Sequence, residues 1–145
     1  MTDFMKKQGI GAYLNTLAAV LGIVGIVAAI ICSNMTITYS LGNLEKIVIL
    51  AVCAIVLSIF AVYLPNKFGN HDICSTVSVL GAVALFATAF GNVISERILL
   101  IAGLFSYDSV NTVGWQVFYV TVVSIVAFLV ACLVLIIGAF TKSVK

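Results

Sequence analysis

The sequence predicts an all-α protein: an integral membrane four-helix antiparallel up-down bundle, with a short interfacial or helix-3-extending segment at about residues 98–107. Three observations predict it. Four long apolar runs, Tyr13 to Cys32, Ile47 to Leu64, Ile73 to Ser95 and Trp115 to Phe140, fill most of the 145 residues. At ~1.5 Å per helical residue, a run of about 20 residues crosses the ~30 Å hydrocarbon layer of a bilayer. The composition is 63% hydrophobic and 8% charged, with a mean hydropathy of +1.29, whereas ordinary soluble domains carry about 25% charged residues. Finally, the polar joins between the runs are short, and short joins place successive helices side by side.

The expected helices span about residues 13–32, 45–64, 72–97 and 114–140, in one transmembrane domain covering 1–145. Lys6 and Lys7 precede the first run, which is too long for a signal-peptide core of about 7–15 residues and reads as a retained helix. Its end is marked by Ser33-Asn34, and an uncharged loop, 34 to 43, leads to the second helix. Asn43 is a favourable N-cap, and Glu45 in the first turn suits the positive end of the helix dipole. Pro65 follows the second helix and is expected to end it. The third helix is expected to begin at Asp72 as N-cap and to reach Glu96-Arg97. The apolar stretch from Ile98 to Phe105 then has Ile98, Ile101, Ala102 and Phe105 on one helical face, which slightly favours an interfacial segment. Trp115 and Tyr119 open the fourth helix as members of an interfacial aromatic belt.

Lysines set the orientation. Lys6, Lys7, Lys67, Lys142 and Lys145 fall on one side of four alternating spans, while Lys46 and Arg97, each beside an acid (Glu45, Glu96), fall on the other. Positive residues near spans stay cytoplasmic, so the sequence predicts a multi-pass plasma membrane protein with both termini inside. A net charge of +2 is too small to argue for nucleic acid. The expected partners are the lipid bilayer and either another membrane protein or a second copy.

Between helices in lipid, small residues matter because they let backbones approach. The first helix carries Gly11, Asn15, Ala18, Gly22, Gly25, Ala29 and Cys32 in strict 4-3-4-3 alternation, the period of a left-handed seam. Intramolecular packing is the favoured reading of this seam, and an oligomer interface the alternative. Ala51, Ala54, Ser58 and Ala61 form a corresponding face on the second helix. Cys74, Ser78, Gly81, Leu85, Thr88, Asn92 and Ser95 form one on the third, and Thr121, Ser124, Ala131 and Gly138 one on the fourth. Asn15, Asn92 and Gln116 are expected to make interhelical hydrogen bonds.

Few residues offer chemistry. The centres of the four runs lack Asp, Glu, Lys, Arg and His, and such residues mark most proton-coupled pathways. The four cysteines, Cys32, Cys53, Cys74 and Cys132, lie at different heights and read as reduced packing residues. No catalytic residue, cofactor or metal is expected. Glu96, Arg97, Leu104, Phe105, Tyr107 and Asp108 remain as candidate partner or gate contacts. The plain alternative makes Glu96-Arg97 an anchor, with Arg97 snorkelling to lipid phosphates.

Lys6-Lys7-Gln8-Gly9, Ala12-Tyr13-Leu14, Leu17-Ala18 and Val24-Gly25, with Glu96-Arg97, Gly103 and the 122–128 segment of the last helix, resemble small four-helix membrane proteins of Firmicutes. Ile10 and Gly11 stand as two extra residues before Ala12-Tyr13. The resemblance implies a four-span fold in a bacterial plasma membrane and no established activity. Some members of that group accompany carbohydrate-degrading enzymes, which implies a partner role. The sequence reading is thus a non-enzymatic scaffold, anchor or accessory subunit. The alternatives are a small oligomeric channel or transporter and a self-assembling structural protein.

Overall fold

Helix α1 (Ile10–Asn34) starts where residues 8–11 meet residues 142–144. In the computed structural model, which describes residues 8–68, 73–106 and 110–144, Gln8 pairs with Val144 in an isolated bridge. Gly9 N–H donates to the Ser143 carbonyl (2.8 Å) and Gly11 N–H to the Lys142 carbonyl (3.0 Å). The first N–H groups of any helix lack partners within it; here the C-terminal tail supplies one to Gly11 and another to Gly9 just before the helix. A β-carbon at Gly9 would lie 2.2 Å from the Lys142 carbonyl oxygen, so only glycine admits this approach. The pairing explains why α1 begins before the expected residue 13.

A 3-10 turn (Ile37–Tyr39) follows, then α2 (Leu44–Phe68), α3 (Ile73–Ser106) and α4 (Thr112–Ala139). All four helices are long and apolar enough to cross a membrane. Sequence neighbours pack together, and α4 closes the ring onto α1 with its most extensive interface.

Two expected boundaries move. Pro65 does not end α2; it is buried inside the helix, which continues to Phe68. Proline removes one N–H from the ladder and crowds the preceding turn, but only the last turn is affected, and Asn66 Nδ2 donates to the Val62 carbonyl there (2.8 Å). The favoured interfacial segment after residue 97 is not formed either. Helix α3 runs unbroken through 98–106, and its 34 residues measure about 51 Å at ~1.5 Å each. Leu104 is the reason: buried at 3% exposure, it continues the α3 core face two turns beyond Arg97. Asp72, the expected cap of this helix, lies outside the described residues.

The core is built from small side chains with a few large ones between them. Every residue of the α1 seam is buried. A β-carbon on Gly22 would stand 2.7 Å from the Phe86 ring, and one on Gly25 2.6 Å from the Phe128 ring. The two rings meet at a centroid separation of 6.1 Å. The glycines are thus sockets for two phenylalanines at the bundle centre. Ala51, Ala54, Ser58 and Ala61 face inward on α2, as do Thr121, Ser124, Ala131 and Gly138 on α4.

Helix α3 differs from expectation. Its buried face is Val79, Ala82, Phe86, Ala89, Val93, Arg97 and Leu104, one position round from the row Cys74 to Ser95. Three polar members of that row bond their own helix instead: Ser78 to the Cys74 carbonyl (2.8 Å), Thr88 to Ala84 (2.7 Å) and Asn92 to Thr88 (2.8 Å). Volume decides the face, because Phe86 fills the glycine socket and no residue of the small row is large enough to do so.

The interhelical hydrogen bonds also fall elsewhere. Ser124 Oγ donates to the Gly25 carbonyl (2.9 Å). Asn92 stays within α3, Gln116 is exposed, and the buried Asn15 Oδ1 has no hydrogen-bond partner among the described residues. The cysteines are free, but only Cys32 and Cys132 are buried; Cys53 and Cys74 point outward and do not pack the core.

Outside the core the surface is almost continuously apolar, with Leu17, Val24, Ile31, Ile49, Phe60, Leu80, Val123 and Leu133 all exposed. Water-soluble monomers rarely expose apolar patches beyond a few hundred Å². Replacing Gly25 with leucine should force the Phe128 ring out of its socket and cost about 1–3 kcal/mol, as overpacking does. Thermal unfolding in mild detergent checks this, with Val24→Leu on the exposed face as the neutral control. Ser124→Ala should cost less, about 0.6 kcal/mol.

Candidate functional site

The polar residues of the bundle gather where α1 hands over to α2. Glu96 and Arg97 are adjacent on α3, so their side chains leave the helix ~100° apart. They diverge to opposite ends of the 35–43 connection. Arg97 Nη2 donates to the Cys32 carbonyl (3.2 Å) and contacts Cys32 Sγ (3.4 Å). Its Nη1 donates to the Tyr39 carbonyl. Cys32 lies in the last turn of α1, where carbonyls have no helical partner and the dipole end is negative. A cation from another helix therefore caps α1.

Glu96 does the converse. Its Oε2 accepts from Gly42 N–H (3.2 Å) and its Oε1 from Asn43 Nδ2 (2.6 Å). Both donors sit at the start of α2, whose dipole end is positive. Asn43 thus serves α2 with its carbonyl, which accepts from Ile47 N–H (3.1 Å), while its amide reaches across to α3. Two further bonds complete the latch. Ser33 Oγ accepts from Leu41 N–H (2.9 Å), and Tyr39 Oη accepts from Asn111 Nδ2 (2.7 Å). Asn111 in turn caps α4, its Oδ1 accepting from Gly114 N–H (2.9 Å). The short connection is tied to α1, α3 and the start of α4 together.

Arg97 does not snorkel. It is 2% exposed because protein carbonyls, rather than lipid phosphates, take its charge. A crevice of about 350 Å³ lies beside the latch, lined among others by Tyr39, Ser40, Glu96, Arg97, Leu100 and Asn111.

The other candidate contacts separate. Leu104 is a core residue and is not available to a partner. Phe105 is 67% exposed and joins an aromatic cluster, with its ring 5.3 Å from Trp115 and 5.7 Å from Phe118; Tyr119 adds a fourth ring. Tyr107 and Asp108 lie outside the described residues. The sequence reading missed Tyr39, Ser33 and Asn111. Only Asn111 carried a local signal, an asparagine three residues before the glycine that opens the fourth run.

No group of three or more His, Cys, Asp or Glu able to hold a metal occurs among the described residues. No family model, no curated protein and no solved structure matches the chain.

Truncating Arg97 to leucine should free the 35–43 segment and cost about 1.5–3 kcal/mol, the range for hydrogen bonds to a charged group. Hydrogen exchange read at Tyr39 to Asn43 should rise well above that of the native protein. Glu96→Gln keeps an acceptor and should raise exchange at Gly42 and Asn43 by a smaller factor.

Proposed function

We propose that this chain is a four-span antiparallel protein of a bacterial plasma membrane, with both termini cytoplasmic, that works without chemistry as a scaffold or accessory subunit. The antiparallel, up-down course is supported by the contacts of α1: its start meets the C-terminal tail, its middle meets Phe86 and Phe128, and its end meets Arg97. The lipid setting is supported by the apolar exterior. The bacterial location and partner role follow the resemblance to the Firmicutes proteins.

The observation that carries the functional reading is the rigid loop end. Glu96 and Arg97 are committed to internal bonds, so they fix a surface, which exposed Glu45 and Lys46 at the start of α2 flank. Helix α3, at about 51 Å, outruns a ~30 Å hydrocarbon layer, and its far turns present Ile98, Leu99 and Phe105 outward. A stiff apolar tip beyond the bilayer suits protein contact, since little ordering entropy is lost on binding. Phe105→Ala and Leu99→Ser should each weaken recovery of a co-purifying partner in mild detergent without lowering the yield of the folded chain. Equal recovery from both variants contradicts the contact surface.

One observation favours a second reading, self-association. The polar row Ser78, Thr88, Asn92 and Ser95 lies off the buried face of α3, and α3 is the least covered of the four spans, with 22% of its apolar window buried. Small polar residues facing lipid are favourable contacts for another helix. In that arrangement the row lines an interface between copies, or a path for a neutral solute. Cross-linking through a single cysteine at Thr88, in a background lacking native cysteines, should then trap a dimer.

A further inference from the structure

The two ends of α1 are held by different means. At its last turn, Arg97 binds through both terminal nitrogens of its guanidinium, and such charge-assisted bonds are stronger than bonds between neutral groups. At its first turn, the tail after α4 lies across the helix through backbone bonds at Gly9 and Gly11. No residue from 139 to 144 is buried, so no side chain of the tail is anchored in the core. The interior beside it is hollow as well. A cavity of about 520 Å³ lies there, lined among others by Asn15, Pro65, Ser75, Val79 and Thr141.

One buried group works against closure at this end. Asn15 is 2% exposed, and its Oδ1 is shut off from water with no hydrogen-bond partner among the described residues. Gly138, in the last turn of α4, covers it: a β-carbon there would lie 3.2 Å from that oxygen. A buried acceptor without a donor destabilises the closed form. Parting the end of α4 and the tail from α1 lets water reach the oxygen and removes the penalty. Thr36 Oγ1 and Arg97 Nε also lack partners at the latch end, but opening there gives up both guanidinium bonds.

We propose that residues 141–144 form a releasable strap. The bundle opens locally at this end, with the tail and the last turn of α4 leaving the start of α1, while the latch end stays closed. The inference goes beyond the scaffold reading and rests on the packing alone.

Hydrogen exchange of the full chain in mild detergent tests it, with rates corrected for intrinsic exchange. The reporters are the amides of Leu14 to Ala18, in the early turns of α1, and of Ile30 to Asn34, in its last turns. In the native protein the first set is expected to exchange about tenfold faster than the second, equivalent to roughly 1.4 kcal/mol. Gly9→Val sets a β-carbon 2.2 Å from the Lys142 carbonyl oxygen and should speed the first set further, leaving the second unchanged. Asn15→Ala removes the unpaired acceptor and should slow the first set. Its effect is read against Thr16→Ala, which makes a similar gain in helix propensity on the exposed face. Equal rates at the two ends of α1 in the native protein overturn the strap, as does an unchanged first set in Gly9→Val. No slowing in Asn15→Ala beyond that in Thr16→Ala also overturns it. So does a rise in both sets together in Gly9→Val, which marks global rather than local opening. The native comparison and Asn15→Ala decide the matter even where Gly9→Val fails to fold.

Discussion

Two adjacent residues of opposite charge, Glu96 and Arg97, hold the loop end of this bundle by serving two different helix termini. The carboxylate sits at the positive end of α2 and the guanidinium at the negative end of α1. Each interaction has the sign that the helix dipole favours, and the Arg97 contacts are further strengthened by the low dielectric of their buried setting, whereas the Glu96 contacts are exposed. In the lipid setting proposed above this matters more than it would in water. Backbone groups at helix ends must find partners within the protein when the surroundings supply none. The α1–α2 connection is short and uncharged, and it cannot satisfy its own termini. Helix α3 does so from the side.

That latch also fixes the order of everything around it. With the end of α1 bound to Arg97, the glycines of its middle turns stand opposite Phe86 and Phe128, and its first turn reaches the C-terminal tail. The bundle is thus pinned at three levels by three kinds of interaction: charge-assisted hydrogen bonds at the loop end, aromatic rings in glycine sockets at the centre, and backbone pairing at the termini. These specific contacts define the register, the more so in the lipid setting proposed above, where hydrophobic burial contributes little between helices. The aromatic cluster of Phe105, Trp115, Phe118 and Tyr119 then joins the far ends of α3 and α4 beside the latch.

Much of this was legible in the residues. The four apolar runs located the helices, and the strict 4-3-4-3 spacing on α1 located its buried seam because small residues there have no other use. The faces of α2 and α4 were readable for the same reason. Helix α3 was not, because it carries two rows: a small polar one that resembles a seam, and a bulkier one whose Phe86 fits a glycine, Gly22, some 60 residues earlier in the chain. Periodicity within one helix cannot reveal that complementarity. Arg97 was misread because Glu-Arg at a span end has the composition of a water-facing anchor. Its real acceptors are backbone carbonyls, which leave no trace in side-chain identity. Pro65 and Leu104 failed for a related reason, since tertiary packing carried both helices past their local stop signals.

The account stands on the placement of the two charges, not merely on their presence. Exchanging them in one chain, Glu96→Arg with Arg97→Glu, preserves composition, net charge and helix propensity. It sets a carboxylate against the carbonyls of α1 and a guanidinium against the N–H groups of α2. Thermal unfolding of this double variant in mild detergent is the most direct test. The account predicts a loss at least as large as that of the Arg97→Leu variant, with hydrogen exchange rising across the whole 35–43 segment. A double variant as stable as the native protein, with that segment still protected, would contradict it.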